Sequence, residues 1–168
     1  MKNGLIILVL LVIAFFAYQH FAVKTDQTDA SHNMTASAVE EAQTINTNSL
    51  ISSAPTGAAV FILEPGDGST VTSPVTIKFG ITNMQVVAAG NNTENSGHHH
   101  ILLDLESLPD MSMPLPKSEN IIHFGGGQTD AILELSPGTH TLQLLLGNYL
   151  HIPHSAPVIS KKITINVE

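Results

Sequence analysis

From residue 58 onward the chain is written in short runs of apolar and polar residues with a period of two. Val75-Thr76-Ile77-Lys78-Phe79-Gly80-Ile81 places Val, Ile, Phe and Ile on one face, the pattern of a half-buried antiparallel strand. Val60-Phe61-Ile62-Leu63 is a short apolar run closed by the turn signal Glu64-Pro65-Gly66-Asp67-Gly68. Further strands are expected at residues 100–105 and 131–135. Pro137-Gly138 turns into another at residues 140–146, and the chain closes on 158–159 and the alternating Ile163-Thr164-Ile165-Asn166-Val167. A proline-rich loop fills 109–120. Six or seven short strands separated by turns, with no helical period among them, predict an all-β domain, an immunoglobulin-like β-sandwich. No internal repeat interrupts that pattern.

The first 55 residues have a different texture. After Met1-Lys2-Asn3, residues 4–18 carry no charge and weaker apolar character continues to Val23. Roughly 20 apolar residues span a bilayer, whereas the apolar part of a signal peptide is about 7–15 long. The triplets Phe15-Phe16-Ala17 and His20-Phe21-Ala22 fit the Ala-x-Ala cleavage pattern poorly, so residues 1–23 read as a transmembrane signal anchor rather than a cleaved signal peptide. Lys2 then stays on the cytoplasmic side and everything after residue 23 is exported. Residues 24–55 are Thr, Ser, Asn, Ala and Gln with few large apolar side chains, the composition of a disordered linker. The expected organisation is an anchor over 1–23, a flexible polar linker over 24–55 and a β domain over 56–168. Its expected place is the periplasmic or extracellular face of the bacterial inner membrane, held there by residues 4–23.

Charge and composition narrow the function. The formal net charge is −8, and all six basic residues are lysine. Without arginine, the usual reader of phosphates and base edges, nucleic acid is excluded as an expected partner, and an envelope protein is the expected kind. Cysteine is absent, which removes disulfides, thiolate metal sites and a lipid-modified cysteine behind the apolar segment. Histidine numbers nine, more than all lysines, and seven of the nine lie between His98 and His154.

Those histidines are the candidate chemistry. In Gly97-His98-His99-His100 the side chains alternate, so His98 and His100 share a strand face and can offer two imidazoles to one ion. His123 stands before Gly125-Gly126-Gly127, and His151-Ile152-Pro153-His154 supplies two more rings on a proline-stiffened loop. If strand ends converge, His98, His100, His123, His151 and His154 form the metal site. Neutral imidazole suits copper and zinc, the expected cofactors; Met111 and Met113 are weak additional candidates for a soft ion. His140 falls in register with Leu142 and Leu144, and His99 with Ile101 and Leu103, so both are expected in the core. Asp104 shares the face of His98 and His100 and is a candidate acceptor for one of them; Asp130 is another, or a plain strand-edge residue.

No nucleophile elbow, phosphate-binding loop, His-Glu-x-x-His motif or acid–base carboxylate pair is present, so no catalytic set is assembled. The sequence therefore points to metal handling or sensing. One alternative is an envelope interaction module whose histidines are structural or respond to pH. The other is a metal-dependent hydrolase.

The motifs also stand in a recognisable order: Gly97-His98-His99-His100-Ile101-Leu102-Leu103-Asp104, His123-Phe124-Gly125-Gly126-Gly127-Gln128-Thr129, Pro137-Gly138-Thr139-His140, then His151-Ile152-Pro153-His154. This series resembles the bacterial domain of unknown function numbered 4399, a family of small exported proteins, over residues 60–167. The resemblance implies one exported β domain with these histidines as its signature, and it implies no activity. Two positions depart from the family pattern. Asn148 stands where an acidic residue usually follows Leu-Gly, and Ser155-Ala156-Pro157 stands where the family tends to Asp-Pro-Pro.

Overall fold

The computed structural model describes residues 50–168. The expected anchor at 1–23 and the linker up to residue 49 lie outside them. Among the described residues, no helix is long and apolar enough to cross a membrane.

Nine strands make up the described part: β1 (Ala59–Glu64), β2 (Thr70–Val71), β3 (Val75–Thr82), β4 (Gln85–Val86), β5 (Ser96–Leu103), β6 (Ile121–His123), β7 (Asp130–Leu133), β8 (Gly138–Gly147) and β9 (Ile163–Val167). They form two sheets, as an all-β reading requires. The small one has the order β1-β3-β7; the large one runs β2-β9-β8-β5-β4, with β6 also paired to β5, and is curled into a half-barrel. Most neighbours are antiparallel, but β2 joins β9 and β4 joins β5 in parallel.

The alternation read from the sequence is what joins the sheets. Val75, Ile77 and Phe79 of β3 face Ile101 of β5 and Leu142, Leu144 and Leu146 of β8, all buried in one core with Ile165 and Val167 of β9. Strand β8 is different at its end: Leu144, Leu145 and Leu146 are all fully buried, so both of its faces are covered. Leu145 belongs to a second cluster on the outer face of the large sheet, with Leu102, Ile121 and Leu115. Leu115 comes from the proline-rich loop, which therefore folds back over the sheet as a lid. Strand β5 is covered in the same way, buried from Ser96 to Leu102.

Several expectations shift in detail. The strand expected from residue 100 begins at Ser96 and stops at Leu103, because Asp104 turns the backbone to a φ of 52°. Val158 and Ile159 form no strand of their own; Ile159 makes an isolated bridge to Leu145. Strands β2, β4 and β6 were not foreseen. They are two or three residues long and exist because a neighbouring strand offers an edge, not because their own sequence alternates.

Residues 50–52, at the end of the stretch expected to be linker, are fastened to the domain. The Asn148 Nδ2–H group donates to the Leu50 carbonyl at 2.9 Å, and the Ser155 N–H donates to the Ser52 carbonyl at 2.9 Å.

Core and surface should separate sharply under mutation. Leu144→Ala, at a site with no exposure, is expected to cost about 2–5 kcal/mol. Ile132→Ala, 68% exposed on β7, should stay within about 0.5 kcal/mol of the parent. Urea unfolding midpoints of the two variants test the contrast; similar losses would mean the sheets pack differently.

Candidate metal centre

Register decides which histidines meet. On the outer face of the large sheet, His98 of β5 lies opposite Gly147 of β8, and His100 opposite Leu145. On the other side of β5, His100 lies directly opposite His123 of β6. Side chains paired across antiparallel strands have Cβ atoms about 4.5–5.5 Å apart, so β6 brings His123 against His100 with no loop needed. The ring centroids of His98 and His100 are 4.8 Å apart, and those of His100 and His123 5.1 Å. One donor atom from each of His98, His100 and His123 lies within 4.8 Å of the others. His151 completes the group, its ring 4.8 Å from His98 and 4.7 Å from His123.

Small residues make the room. A Cβ at Gly147 would stand 2.8 Å from His100 Cε1 and 3.3 Å from the His151 Cα, and one at Gly125 would overlap the His123 ring. The loop carrying His151 is shaped by Asn148, a residue the sequence marked only as a departure. Its buried side-chain oxygen accepts the N–H groups of Leu150 at 2.9 Å and Ile152 at 3.1 Å. The His151 N–H donates to the Asn148 carbonyl at 2.8 Å. This web holds His151 at a φ of 67°, a conformation that costs a non-glycine residue free energy and must be imposed by its surroundings. An aspartate could accept the same two bonds, but it could not donate to the Leu50 carbonyl. Asn148 thus positions His151 rather than contacting the ring group itself.

The remaining candidates are placed elsewhere. His154 is buried, but its Nε2–H faces the Ser96 carbonyl at 3.3 Å, and it lines a separate cavity with Asn91, Thr93 and Tyr149. It is not brought to the four rings: Pro153, between the two histidines, bridges to Gly147, and the His154 ring lies against the Ser96 backbone at the start of β5. His99 packs in the core as its register requires, its ring centroid 5.0 Å from Phe79. His140, expected in the core, is instead partly buried near the start of β8, outside the apolar cluster and held by polar partners. Its Nδ1–H donates to Asp104 Oδ2 at 2.7 Å and its Nε2–H to the Ser136 carbonyl at 2.9 Å. Asp104, expected to orient His98 or His100, is turned away by its positive φ and serves His140 and the Thr141 N–H. Asp130 is an exposed strand-end residue paired in register with Lys78. Met111 packs against the second apolar cluster and Met113 is exposed, so neither thioether joins the rings.

Burial sets the electrostatics. It lowers the His98 pKa to about 4 and the His100 pKa to about 3, and the neighbouring rings add to the effect because each would repel another's charge. His123 is lowered as well, by burial first and then by His151 and Lys117. At neutral pH these three rings are uncharged and keep lone pairs to offer. His98 is fully buried, and neither of its ring nitrogens has a hydrogen-bond partner among the described residues; His100 Nδ1 is also unpartnered. A neutral imidazole has one donor and one acceptor, and leaving either unsatisfied in the interior costs about 1–3 kcal/mol.

The family model for the domain of unknown function DUF4399 matches residues 77–168, from mid-β3 to the C-terminus, and so takes in all four converging histidines. The chain belongs to the DUF4399 family. The match begins later than residue 60, so β1, β2 and the start of β3 lie outside the matched residues although they pack on them. Among solved structures, an endo-β-1,4-mannanase from Thermotoga petrophila is similar at 12% identity with a TM-score of 0.39, over 66% of this chain. The chain spans 20% of that enzyme's length. No curated protein sequence matches it.

His99 gives a test free of the ring group's mutual repulsion, since burial alone lowers its pKa to about 4. Its stabilising contribution is full above the ordinary histidine value near 6.5 and is lost as pH falls toward about 4. At pH 5 the loss for one such ring is on the order of 2 kcal/mol. His99→Leu should therefore unfold at a denaturant midpoint that falls less between pH 7 and pH 5 than the parent's. His140 runs the other way: Asp104 and then the Ser136 carbonyl raise its pKa, so its pairing is strongest in acid and weakens as pH rises through the raised value. An unchanged pH profile in His99→Leu would show that the ring is not buried as described.

Proposed function

We propose that this DUF4399 domain binds a divalent transition metal, copper or zinc, through His98, His100, His123 and His151, in metal handling or sensing. One observation carries the reading: His98, His100 and His123 each bring a ligand atom within 4.8 Å of the others, the His151 ring packs beside them, and the fully buried His98 has two unpartnered nitrogens. A metal ion would satisfy one of these nitrogens and one on each neighbour. The depressed pKa values supply the neutral form that ligation needs. The donor set is all nitrogen, which suits zinc and copper(II) better than the thioether-loving copper(I). Zinc–imidazole bonds of about 2.0–2.1 Å would draw the donors closer than their present spacing.

The same observations weigh against the alternatives. Burial holds the His98 and His100 pKa values well below the ordinary histidine range, so a pH-responsive role would fall to His140, whose pKa Asp104 raises, and not to the ring group. A hydrolase needs a base beside the ion, and no carboxylate lines the cavity over the rings. The two facing sheets, largely antiparallel, support an immunoglobulin-like sandwich as the scaffold. With residues 4–23 as an anchor in the inner membrane, the domain would meet its metal on the periplasmic or extracellular side.

Metal analysis of the full-length chain, stripped with chelator and reloaded with zinc or copper(II), tests the proposal. About one ion per chain is expected. Free metal at 100 times its Kd should add about 2.7 kcal/mol of stability. His98→Ala/His100→Ala should lose both uptake and the stability gain, while His154→Gln should keep them. No retained metal and no shift in melting would sink the reading.

A further inference from the structure

The ring group has one open side. A cavity of about 240 Å³ lies over it, with His100, His123 and His151 on its floor. His98 is not among the lining residues; it closes the group from behind. The wall is built by the proline-rich loop, with Pro114, Pro116 and Lys117 facing Ile121 of β6. The domain is acidic, with ten carboxylates against four lysines after residue 55. Yet none of those carboxylates lines this cavity, and its one charged side chain is a lysine. Among the described residues Lys117 takes part in no ion pair, since the only pairs are Lys78 with Glu64 and His140 with Asp104.

The charge balance of such a site is incomplete. Four neutral imidazoles leave the full charge of a divalent ion uncompensated, and Lys117 adds another positive charge at the mouth. Uncompensated charge beside proline and aliphatic side chains is costly, and an anion entering from the open side would remove that cost. The cavity walls also select. Proline, leucine and isoleucine side chains cannot hydrogen-bond a hydrated polar tail, but they can cover a short hydrocarbon one.

We propose that the cavity is a binding site for a small carboxylate, its head group on the metal and facing Lys117, its short apolar tail against Pro114 and Pro116. This rests on the metal reading above and gives the site a second ligand: the domain would recognise a metal together with an organic anion.

The test uses the full-length chain loaded with copper(II), with azide as a probe that produces a charge-transfer absorption band when it ligates the ion. The expected result is a saturable azide band that butyrate displaces more effectively than acetate does. Lys117→Gln should weaken azide binding by about ten-fold, the effect of losing one nearby charge at a partly solvated site, with copper uptake undiminished. Copper uptake without an azide band would overturn the inference and leave the metal reading standing. So would an azide affinity in Lys117→Gln equal to that of the parent, or butyrate no better than acetate. Failure of copper and zinc to bind at all would overturn both.

Discussion

Strand β5 is hydrogen-bonded along both edges and buried on both faces, and nearly everything else in the domain follows from that. Its inner face places His99 and Ile101 in the core between the sheets, and its outer face turns His98, His100 and Leu102 toward β6 and the proline-rich loop. A strand with two covered faces would ordinarily be aliphatic throughout. Three consecutive histidines in that position are costly for folding alone, because imidazole brings two polar nitrogens into a space that offers few partners. The two faces deal with the cost in different ways. On the inner face one ring packs at a tilt against phenylalanine. On the outer face the rings are gathered so that each has others beside it.

The gathering needs elements of very different kinds. Strand β8 contributes a glycine where a side chain would collide with His100, and β6 contributes His123 by register. The loop after β8 contributes His151 only through the strained backbone that Asn148 imposes. The proline-rich loop contributes no ligand but seals the apolar half of the same face with Leu115, while Lys117 stays at the opening. The divide between a greasy seal and a polar mouth lies within that single loop.

Much of this was legible in the residues, and the limits have physical reasons. The strict alternation of β3 and β9 and the turn at Pro137-Gly138 mark strands whose sequence decides their conformation. The two-faced burial of β5 and β8 was harder to read, since continuous apolar or histidine runs carry no period. His98 and His100 were placed together by the period of two alone. His123 was legible as a candidate but not as a strand residue, because β6 is defined by the edge of β5 and not by its own three residues. Asn148 and the fate of Asp104 were out of reach. Each depends on a local backbone twist, and the consequence of a positive φ for a side chain's direction is invisible in a string of letters. His154 shows the converse: sharing a short loop with His151 says nothing about sharing a direction.

The glycines opposite and beside the rings have an evolutionary consequence. At positions 125 and 147 the absent side chain is the mould into which an imidazole is cast, so neither residue of each pair is free to drift alone. A descendant that gained a larger residue at 147 would have to move both the His100 ring and the His151 backbone, while one that gained it at 125 would have to turn the exposed His123 ring out of its present place. Glycine and histidine at these places should therefore be inherited as linked characters. A lineage that broke the link would record in its own letters that the ring group had fallen out of use.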